Sequence, residues 1–292
     1  MAFLTRLKSL FAAKRLDVRS RFELLREAIS GTMSKFYMAR DRQTGEVVGL
    51  KILDLDKTEA FEARFKGLRK PTEGAIAVQF FHPYIVRTLE HGRTVQGNQY
   101  LVMEYLDGPG INSVLIAKDR RLEGQRVKYI KQIAEALAAV HRAGFIHRDV
   151  CPRNLLLTGD WETLKLTDFG LTVPAKPPFM RSGNRTGTPN YMAPELVRRR
   201  PTDQRLDVFS FGVTAYEICT GELPWTRGST GMAALTHEQP PIDIFRYRPQ
   251  INPKLAEAIH SCIEPDLRER CPSMEDFLRK IRRVQHEDAQ SA

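Results

Sequence analysis

Apolar and polar residues alternate in several short runs of the first third of the chain, a period typical of β-strands with one buried face. These runs predict strands at residues 22–28, 35–40, 47–53, 85–90 and 100–104. Residues 57–81 interrupt the series with a charged stretch whose pattern favours a helix. The first third is therefore expected to form a small sheet with one main helix.

The period changes after Asp107-Gly108-Pro109-Gly110. From there, apolar residues recur every three or four positions, as they do on one face of a helix: Val127, Ile130, Ile133, Leu137 and Val140. Further helices are predicted at 206–220, 253–264 and 273–285. Because the type of element changes at residues 107–110, we expect an inter-lobe hinge there.

The composition is that of a globular protein. The chain has 292 residues, of which 42% are hydrophobic and 27% are charged. A chain of this length buries roughly 75% of its unfolded surface, so a sizeable core is available. Intrinsic disorder, collagen and coiled coil are excluded as descriptions of the whole chain. We find no apolar run long enough to span a membrane, and charges interrupt the apolar residues at the N-terminus, which argues against a secretory signal.

The charge balance favours an anionic partner. Lys and Arg number 45 against 35 Asp and Glu, a net charge of +10. The four cysteines include no Cys-x-x-Cys pair, which argues against a zinc module or a disulfide scaffold and for a reducing compartment. Zinc spacing, a basic helix-turn-helix signature and an aromatic RNA-binding motif are all missing from the sequence, so we expect no specific nucleic-acid binding.

The first 16 residues contain no acid, and their apolar residues recur at helical spacing. Three interpretations stay open for this basic amphipathic segment: a leader helix that packs on the domain, a helix on a membrane surface, and an organelle transit peptide. A membrane-surface helix would give the protein a peripheral membrane contact through residues 1–16.

One segment, His147-Arg148-Asp149-Val150-Cys151-Pro152-Arg153-Asn154, has the chemistry of a catalytic loop. Its Asp149 carboxylate can accept a proton from an attacking hydroxyl, and the amide oxygen of Asn154 can bind a metal ion. Asp168-Phe169-Gly170 follows a strand-like run and supplies a second carboxylate. Ala193-Pro194-Glu195 comes later, after Gly187-Thr188-Pro189-Asn190-Tyr191.

These motifs, in this order, resemble the eukaryotic-type protein kinase superfamily, of the serine/threonine kind. The resemblance covers residues from about 21 to 284 and includes Val48-Gly49-Leu50-Lys51 as the third-strand motif. It implies an α+β, bilobal fold with a small antiparallel-sheet N-lobe and a larger, mainly α-helical C-lobe. The implied organisation is an N-terminal extension at 1–20, the N-lobe at 21–106, the C-lobe at 107–285 and a tail at 286–292.

The resemblance also implies the catalytic residues. Asp149 would act as the base, and Asn154 and Asp168 would hold the metal. Lys51 would contact the α- and β-phosphates, and Arg153 would assist with its charge. The implied reaction transfers the γ-phosphoryl group of ATP to a Ser or Thr hydroxyl of a protein, with Mg²⁺ (or Mn²⁺) as the second cofactor.

Lys51 needs a carboxylate partner on the helix that follows it. Glu59, Glu62 and Glu73 compete for this role. We favour Glu73 because its spacing to His82-Pro83 is similar to that of the family, and we place Glu62 second.

The nucleotide contacts follow from the same resemblance. Met103 would be the gatekeeper, backbone groups of Glu104 and Leu106 would bind the adenine edge, and Leu156 would form the apolar floor. Gly31 would be the central glycine of the phosphate-binding loop.

Three further residues have structural roles by resemblance. Asp207 would hold the catalytic loop from a buried helix, and Glu195 would pair with Arg270. Thr188 would hydrogen-bond near Asp149.

The sequence departs from the family pattern at three places. In the glycine-rich loop the family's three glycine positions hold Ile29, Gly31 and Ser34, so only the central glycine is kept. Cys151 stands where serine/threonine kinases have a lysine that holds the transferred phosphate, and Arg153 is a candidate to replace it. Phe36 replaces a smaller β-branched residue of the family, and Gly49 replaces an alanine. The volume gained at one position and lost at the other would balance above the nucleotide and keep the width of the adenine slot.

The alternatives differ in class. A pseudokinase would share the fold and act as a nucleotide-binding or scaffolding module, whereas a small-molecule phosphotransferase generally lacks the Asp-Phe-Gly and Ala-Pro-Glu motifs found here. Arg198-Arg199-Arg200 is either an exposed turn or a contact for an acidic substrate. A cytoplasmic location is expected, with membrane association through the N-terminus as an open alternative.

Overall fold

The computed structural model describes residues 15–30, 33–181, 186–225 and 237–289, with backbone alone at 28–30. The chain divides into two compact units. The first takes in the described residues up to Gly67 together with Gly74–Phe80 and Arg87–Tyr105. The second takes in Leu68–Glu73, Phe81–Val86 and the described residues from Leu106 onward. Most of residues 1–16 and all of the tail beyond 289 lie outside the described ranges, so the predictions for the N-terminal segment stay predictions.

The first unit contains a five-stranded antiparallel sheet in the order β1-β2-β3-β5-β4. Its strands are β1 Phe22–Ser30, β2 Ser34–Asp41, β3 Val47–Leu53, β4 Thr88–Arg93 and β5 Gln99–Glu104. The alternation of the sequence places one side chain in two on the core face, where the buried cluster is Phe22, Ala39, Val48, Leu50, Tyr100 and Val102. The small predicted sheet is confirmed.

The helical prediction at 57–81 is wrong as a single element. The structure has α1 Val18–Arg21 before the sheet, then α2 Leu55–Glu62, a 3₁₀ turn at Ala63–Phe65 and, after a loop, α3 Glu73–Ala77. Asp54 caps α2 by accepting a hydrogen bond from the Lys57 amide at 3.0 Å. The loop contains Gly67, whose φ of 83° is left-handed, and Pro71, whose ring excludes a helical residue before it.

The fourth strand begins later than the predicted 85–90. Ile85 instead forms an isolated bridge with Leu166, and the Val86 amide donates to the Leu166 carbonyl at 2.9 Å. The apolar character of this segment therefore reflects packing on a different element, which periodicity alone does not reveal.

The second unit is mainly helical, as expected. Its helices are α4 Ile111–Ile116, α5 Arg126–Arg142, α6 Pro194–Val197, α7 Arg205–Thr220, α8 Pro253–Cys262 and α9 Met274–Lys280. Nearly every residue of α7 is buried, which makes it the central helix of this unit. The helix predicted at 273–285 is capped by Ser273 but ends at Lys280, earlier than predicted.

In the described part of the second unit, four short strands flank the polar loops. β6 Phe145–Ile146 pairs with β9 Val173–Pro174, and β7 Leu155–Leu157 pairs with β8 Leu164–Leu166. The strands β6 and β7 lie on either side of the 147–154 loop, and β8 leads into Asp168. This strand pairing determines where the polar residues of these loops meet.

The predicted hinge segment is held tightly within the second unit at Gly108. A Cβ atom on this residue would lie 2.3 Å from the Leu157 carbonyl oxygen, so only glycine fits. The Leu157 amide donates to the Pro109 carbonyl at 3.0 Å. The division between the units falls just before this segment, between Tyr105 and Leu106. Within the described ranges, we find no helix with both the length and the apolar character needed to cross a bilayer.

Candidate active site

The 147–154 loop is anchored by Asp207 on α7. The amides of His147 and Arg148 donate to its two carboxylate oxygens, each at 2.7 Å, and His141 Nε2 lies 2.9 Å from Oδ2. Burial alone would raise the pKa of the Asp207 carboxyl, but the hydrogen bonds from His141 and the backbone keep this pKa below its ordinary value. Asp207 is fully buried, so its predicted role as the anchor of the loop is confirmed.

Two residues of the candidate site have left-handed backbone: Arg148, which precedes Asp149, and Asp168 itself. Arg148 has a φ of 72° and Asp168 a φ of 67°, values that non-glycine residues rarely adopt. Such strain costs on the order of 1–3 kcal/mol per residue and concentrates at functional sites. Burial lowers the pKa of the Arg148 guanidinium to about 10. The backbone at this loop is thus held in place by its surroundings rather than by its own preference.

The Asp149 carboxylate is oriented from two sides. Its Oδ1 accepts hydrogen bonds from the Thr188 amide at 3.0 Å and the Thr188 hydroxyl at 2.7 Å. Its Oδ2 accepts one from Asn154 Nδ2 at 3.0 Å. The predicted contact of Thr188 is therefore confirmed, and the carboxylate is presented as an acceptor at a defined position.

Asn154 presents its amide oxygen away from Asp149. Its Nδ2 donates both to the Asp149 carboxylate and to the Asp149 carbonyl at 2.8 Å, which fixes the orientation of the amide group. Within the described residues, no protein donor is hydrogen-bonded to Asn154 Oδ1. A free amide oxygen of this kind suits a hard cation.

Strand pairing brings Asp168 close to Asn154. Leu155 is paired with Leu166, and the Thr167 amide donates to the Asn154 carbonyl at 2.9 Å. Asp168 is half-buried, and its Oδ1 accepts a hydrogen bond from the Gly170 amide at 3.1 Å. One carboxylate and one amide oxygen therefore lie on adjoining loops of the same unit, a donor set that fits Mg²⁺ or Mn²⁺.

The two acids considered as partners of Lys51 lie in different surroundings. Glu73 begins α3, is only 5% exposed and lies next to the Asp168–Gly170 turn, because a Cβ on Gly170 would be 3.4 Å from Glu73 Oε2. Glu62 instead accepts a hydrogen bond from Gln99 Nε2 at 2.8 Å. Lys51 is buried on β3, in the first unit. Glu73 remains the better candidate, and its pairing with Lys51 stays a prediction.

The predicted nucleotide contacts lie on both units. Met103 is buried on β5 opposite Gly49, whereas Leu106 and Leu156 are half-buried residues of the second unit. The Glu104 amide donates to the Arg87 carbonyl at 3.0 Å. The proposed backbone contacts of Glu104 and Leu106 with an adenine edge stay predictions. Gly31 lies outside the described residues.

Phe36 fills the space that a side chain at position 49 would occupy. A Cβ on Gly49 would lie 2.7 Å from Phe36 Cζ, closer than two carbon atoms can pack. The Phe36 ring therefore occupies the volume that the missing side chain of Gly49 leaves, as predicted. Its effect on the width of an adenine slot stays a prediction.

Cys151 is a neutral, buried residue. Burial raises the pKa of its thiol to about 12, and its Sγ lies 3.6 Å from Thr188 Oγ1. Arg153 is exposed in the 3₁₀ turn Pro152–Asn154 and has no ion-pair partner among the described residues. Arg153 is therefore the candidate to supply the positive charge of the lysine that is usual at position 151, where this chain has Cys151.

Glu195 and Arg270 form a buried ion pair, as predicted. Arg270 Nη1 and Nη2 donate to the two carboxylate oxygens at 2.8 and 3.0 Å. The remaining guanidinium hydrogens go to the carbonyls of Glu264, Arg205 and Pro265. Because every donor group of a fully buried cation has an acceptor, this pair is a structural feature of the second unit.

Sequence reasoning missed His141 as the third partner of Asp207. Its only signal was a histidine near the end of a predicted helix, six residues before His147. The left-handed backbone at Arg148 and Asp168 was also missed, because neither residue is a glycine whose identity would mark the conformation.

Comparison with known proteins identifies the family. The protein kinase domain matches residues 22–280. Serine/threonine-protein kinase pkn3 of Myxococcus xanthus is 32% identical over 270 residues, which cover 88% of this chain and 48% of that protein. A probable serine/threonine-protein kinase of Clostridium acetobutylicum is 30% identical over 274 residues, 91% of this chain and 40% of that protein.

A similar match extends to vertebrate proteins. The human hormonally up-regulated neu tumor-associated kinase is 34% identical over 228 residues, 76% of this chain and 31% of that protein. The chain thus spans about half or less of the length of these relatives. Since the family match covers both units and every motif described above, the chain belongs to the protein kinase family.

Proposed function

We propose that the protein is a serine/threonine protein kinase that transfers the γ-phosphoryl group of ATP to a hydroxyl group of a protein substrate. The observation that carries this proposal is the Asp149 carboxylate, held by hydrogen bonds from Thr188 and Asn154, with the oxygen donors of Asn154 and Asp168 on adjoining loops of the same unit. A positioned acceptor beside a cation-binding pair is what phosphoryl transfer requires. The names of the bacterial relatives support Ser and Thr as acceptors.

In the proposed reaction, Asp149 orients the Ser or Thr hydroxyl and accepts its proton. A bond forms between that oxygen and the γ-phosphorus, and the bond to the bridging oxygen of ADP breaks. Lys51 contacts the α- and β-phosphates, and Glu73 holds its ammonium group. Arg153 adds positive charge near the transferred group. Most of the acceleration comes from positioning and charge stabilisation.

Asn154 and Asp168 are the residues that would hold a magnesium ion. When bound, the ion neutralises charge on the phosphate oxygens. Asn154 also has a second task that needs no metal, because its amide nitrogen keeps the Asp149 carboxylate in place.

A pseudokinase is the second candidate. Cys151 supplies no charge where a lysine is usual, and Ile29 and Ser34 replace two loop glycines. A protein of this kind would bind nucleotide or partners through the same fold and transfer nothing.

The Lys51→Met variant separates the two candidates. For a kinase, we expect the rate of phosphate incorporation from labelled ATP to fall by about 10²-fold or more, because a fixed charge at the phosphates is lost. Lys66→Met removes an exposed lysine from the same unit and should leave the rate unchanged. A parent protein that binds ATP, but whose incorporation matches that of Lys51→Met, would favour the pseudokinase.

The Gly49→Ala variant tests the packing above the proposed nucleotide site. The added Cβ collides with the Phe36 ring, so we expect the free energy of unfolding to fall by about 1–3 kcal/mol and nucleotide binding to weaken. Urea unfolding and nucleotide titration measure the two effects. The double variant Phe36→Val/Gly49→Ala should recover both. Nucleotide binding that is unchanged in Gly49→Ala would contradict the proposed compensation.

A further inference from the structure

The segment that follows the predicted catalytic loops at 147–154 and 168–170, and precedes α7, has an excess of positive charge. Residues 175–202 contain one acid, Glu195, and six basic residues, which are Lys176, Arg181, Arg185, Arg198, Arg199 and Arg200. The proposed mechanism uses none of these cations. They therefore call for a separate explanation.

Some of this charge is neutralised within the second unit. Glu195 is occupied by Arg270, so it offers nothing to the basic residues of its own segment. Arg198 donates to Glu238, with Nε at 3.1 Å from Oε1. Arg185 lies outside the described residues.

The other four cations face solvent. Lys176, Arg181, Arg199 and Arg200 are exposed, and none of them has an ion-pair partner within the described parts of the chain. The Thr202 amide donates to the Met180 carbonyl at 2.9 Å, which brings the residues beside Arg181 next to those beside Arg200. One exposed cation from each end of the segment, Arg181 and Arg200, is therefore within one or two residues of this hydrogen bond.

The middle of the same segment contacts the catalytic loop. Thr188 binds the Asp149 carboxylate, and the 3₁₀ turn Pro189–Tyr191 then connects Thr188 to the short helix α6. A polypeptide that places a hydroxyl at Asp149 must run beside this segment. Its flanking residues would then meet the exposed cations.

The backbone at Arg199 has a left-handed conformation. This residue has a φ of 54° directly after α6, at the position where helices commonly end in glycine. The Arg199 and Arg200 amides donate back to the carbonyls of Leu196 and Glu195. An arginine is thus held at a place where glycine would be less strained, and its side chain stays exposed.

We propose that Lys176, Arg181, Arg199 and Arg200 form a basic docking surface for an acidic segment of the protein substrate. The proposal rests on the proposed kinase function and narrows its substrates to those with Asp- and Glu-rich sequence beside the acceptor hydroxyl. Complementary charge of this kind raises association rates and selects partners.

Two other anionic partners fit the surface less well. Proteins that bind single-stranded nucleic acid combine basic residues with aromatic side chains on which bases stack, and membrane-surface segments present exposed apolar residues. The exposed large hydrophobic and aromatic side chains of the described chain all lie elsewhere than residues 176–181 and 186–200. An acidic polypeptide needs neither feature.

The test uses fluorescent peptides with one central serine, flanked either by Asp and Glu or by Asn and Gln. Anisotropy without ATP should show tighter binding of the acidic peptide to the full chain. Arg199→Glu/Arg200→Glu should weaken that binding about tenfold and leave the neutral peptide unaffected. Arg181→Glu, on the other flank, should weaken it in the same direction. The matched control, Arg282→Glu/Arg283→Glu, reverses two exposed arginines just after α9 and should bind like the parent.

The outcomes separate this surface from the catalytic proposal. With ATP, the ratio of kcat/KM for acidic over neutral peptide should fall about tenfold in Arg199→Glu/Arg200→Glu. If no peptide is phosphorylated but selective acidic-peptide binding persists, the surface is supported and the kinase function fails. Equal binding of both peptides, or an equal loss in the control variant, would overturn the surface. The proposed docking surface would also be overturned if a single-stranded oligonucleotide or phosphatidylserine-containing vesicles bound more tightly than the acidic peptide and this binding depended on the same arginines.

Discussion

Asp149→Asn is expected to reduce turnover by about 10²–10⁴-fold, because the amide cannot accept the proton of the attacking hydroxyl. The replacement keeps the size of the side chain, and its oxygen can still accept the two hydrogen bonds from Thr188. Asn154 Nδ2 would then face an amide nitrogen rather than Oδ2, so one local hydrogen bond is lost. Steady-state kinetics with a protein substrate measure the effect, and nucleotide titration checks that binding is retained.

The control for this variant is Asp160→Asn. Asp160 is exposed in the turn between β7 and β8 and accepts hydrogen bonds from Thr158 and the Glu162 amide, which an asparagine oxygen can also accept. We expect its turnover to equal that of the parent. A similar loss in both variants would mean that the effect comes from the fold and that Asp149 is not the base.

Arg270→Ala is expected to lower the free energy of unfolding by about 3–5 kcal/mol. The change leaves Glu195 as a buried charge without its partner and removes donors from three backbone carbonyls. It also removes the guanidinium that lies 5.0 Å from the centre of the Phe209 ring. Urea unfolding followed by circular dichroism measures the difference.

Arg268→Ala provides the matched comparison two residues away. Arg268 pairs with Asp266, but its side chain is 86% exposed, so water screens the interaction. We expect a loss far smaller than that of Arg270→Ala. Equal losses in the two variants would show that the Glu195–Arg270 pair contributes no more than a surface contact.

Regular periodicity made much of the fold predictable. α5 was predicted from apolar residues that recur every three or four positions, and β3 was predicted at its observed bounds from a short apolar run that only Lys51 interrupts. The prediction failed at residues 57–81. Charged residues that favour a helix occur throughout this stretch, but Gly67 and Pro71 interrupt the helix. It also failed at Ile85, whose backbone forms an isolated bridge with Leu166 instead of joining the five-stranded sheet.

The candidate site was predictable in its residue types but not in its orientations. The spacing of Asp149, Asn154 and Asp168 identified the residues by resemblance. The direction of the Asn154 amide depends on its hydrogen bonds to Asp149, and the close approach of Asp168 depends on the pairing of β7 with β8. Contacts between residues distant in sequence have no local signal, which is why the bond from His141 to Asp207 was not foreseen.

The most direct test of the account is phosphate transfer from γ-labelled ATP to a protein substrate by the purified full chain, followed by phosphoamino-acid analysis. We predict label on serine or threonine that requires Mg²⁺ or Mn²⁺ and is lost in Asp149→Asn. Label that is absent from the parent reaction, or present equally with Asp149→Asn, would contradict the proposed catalytic role.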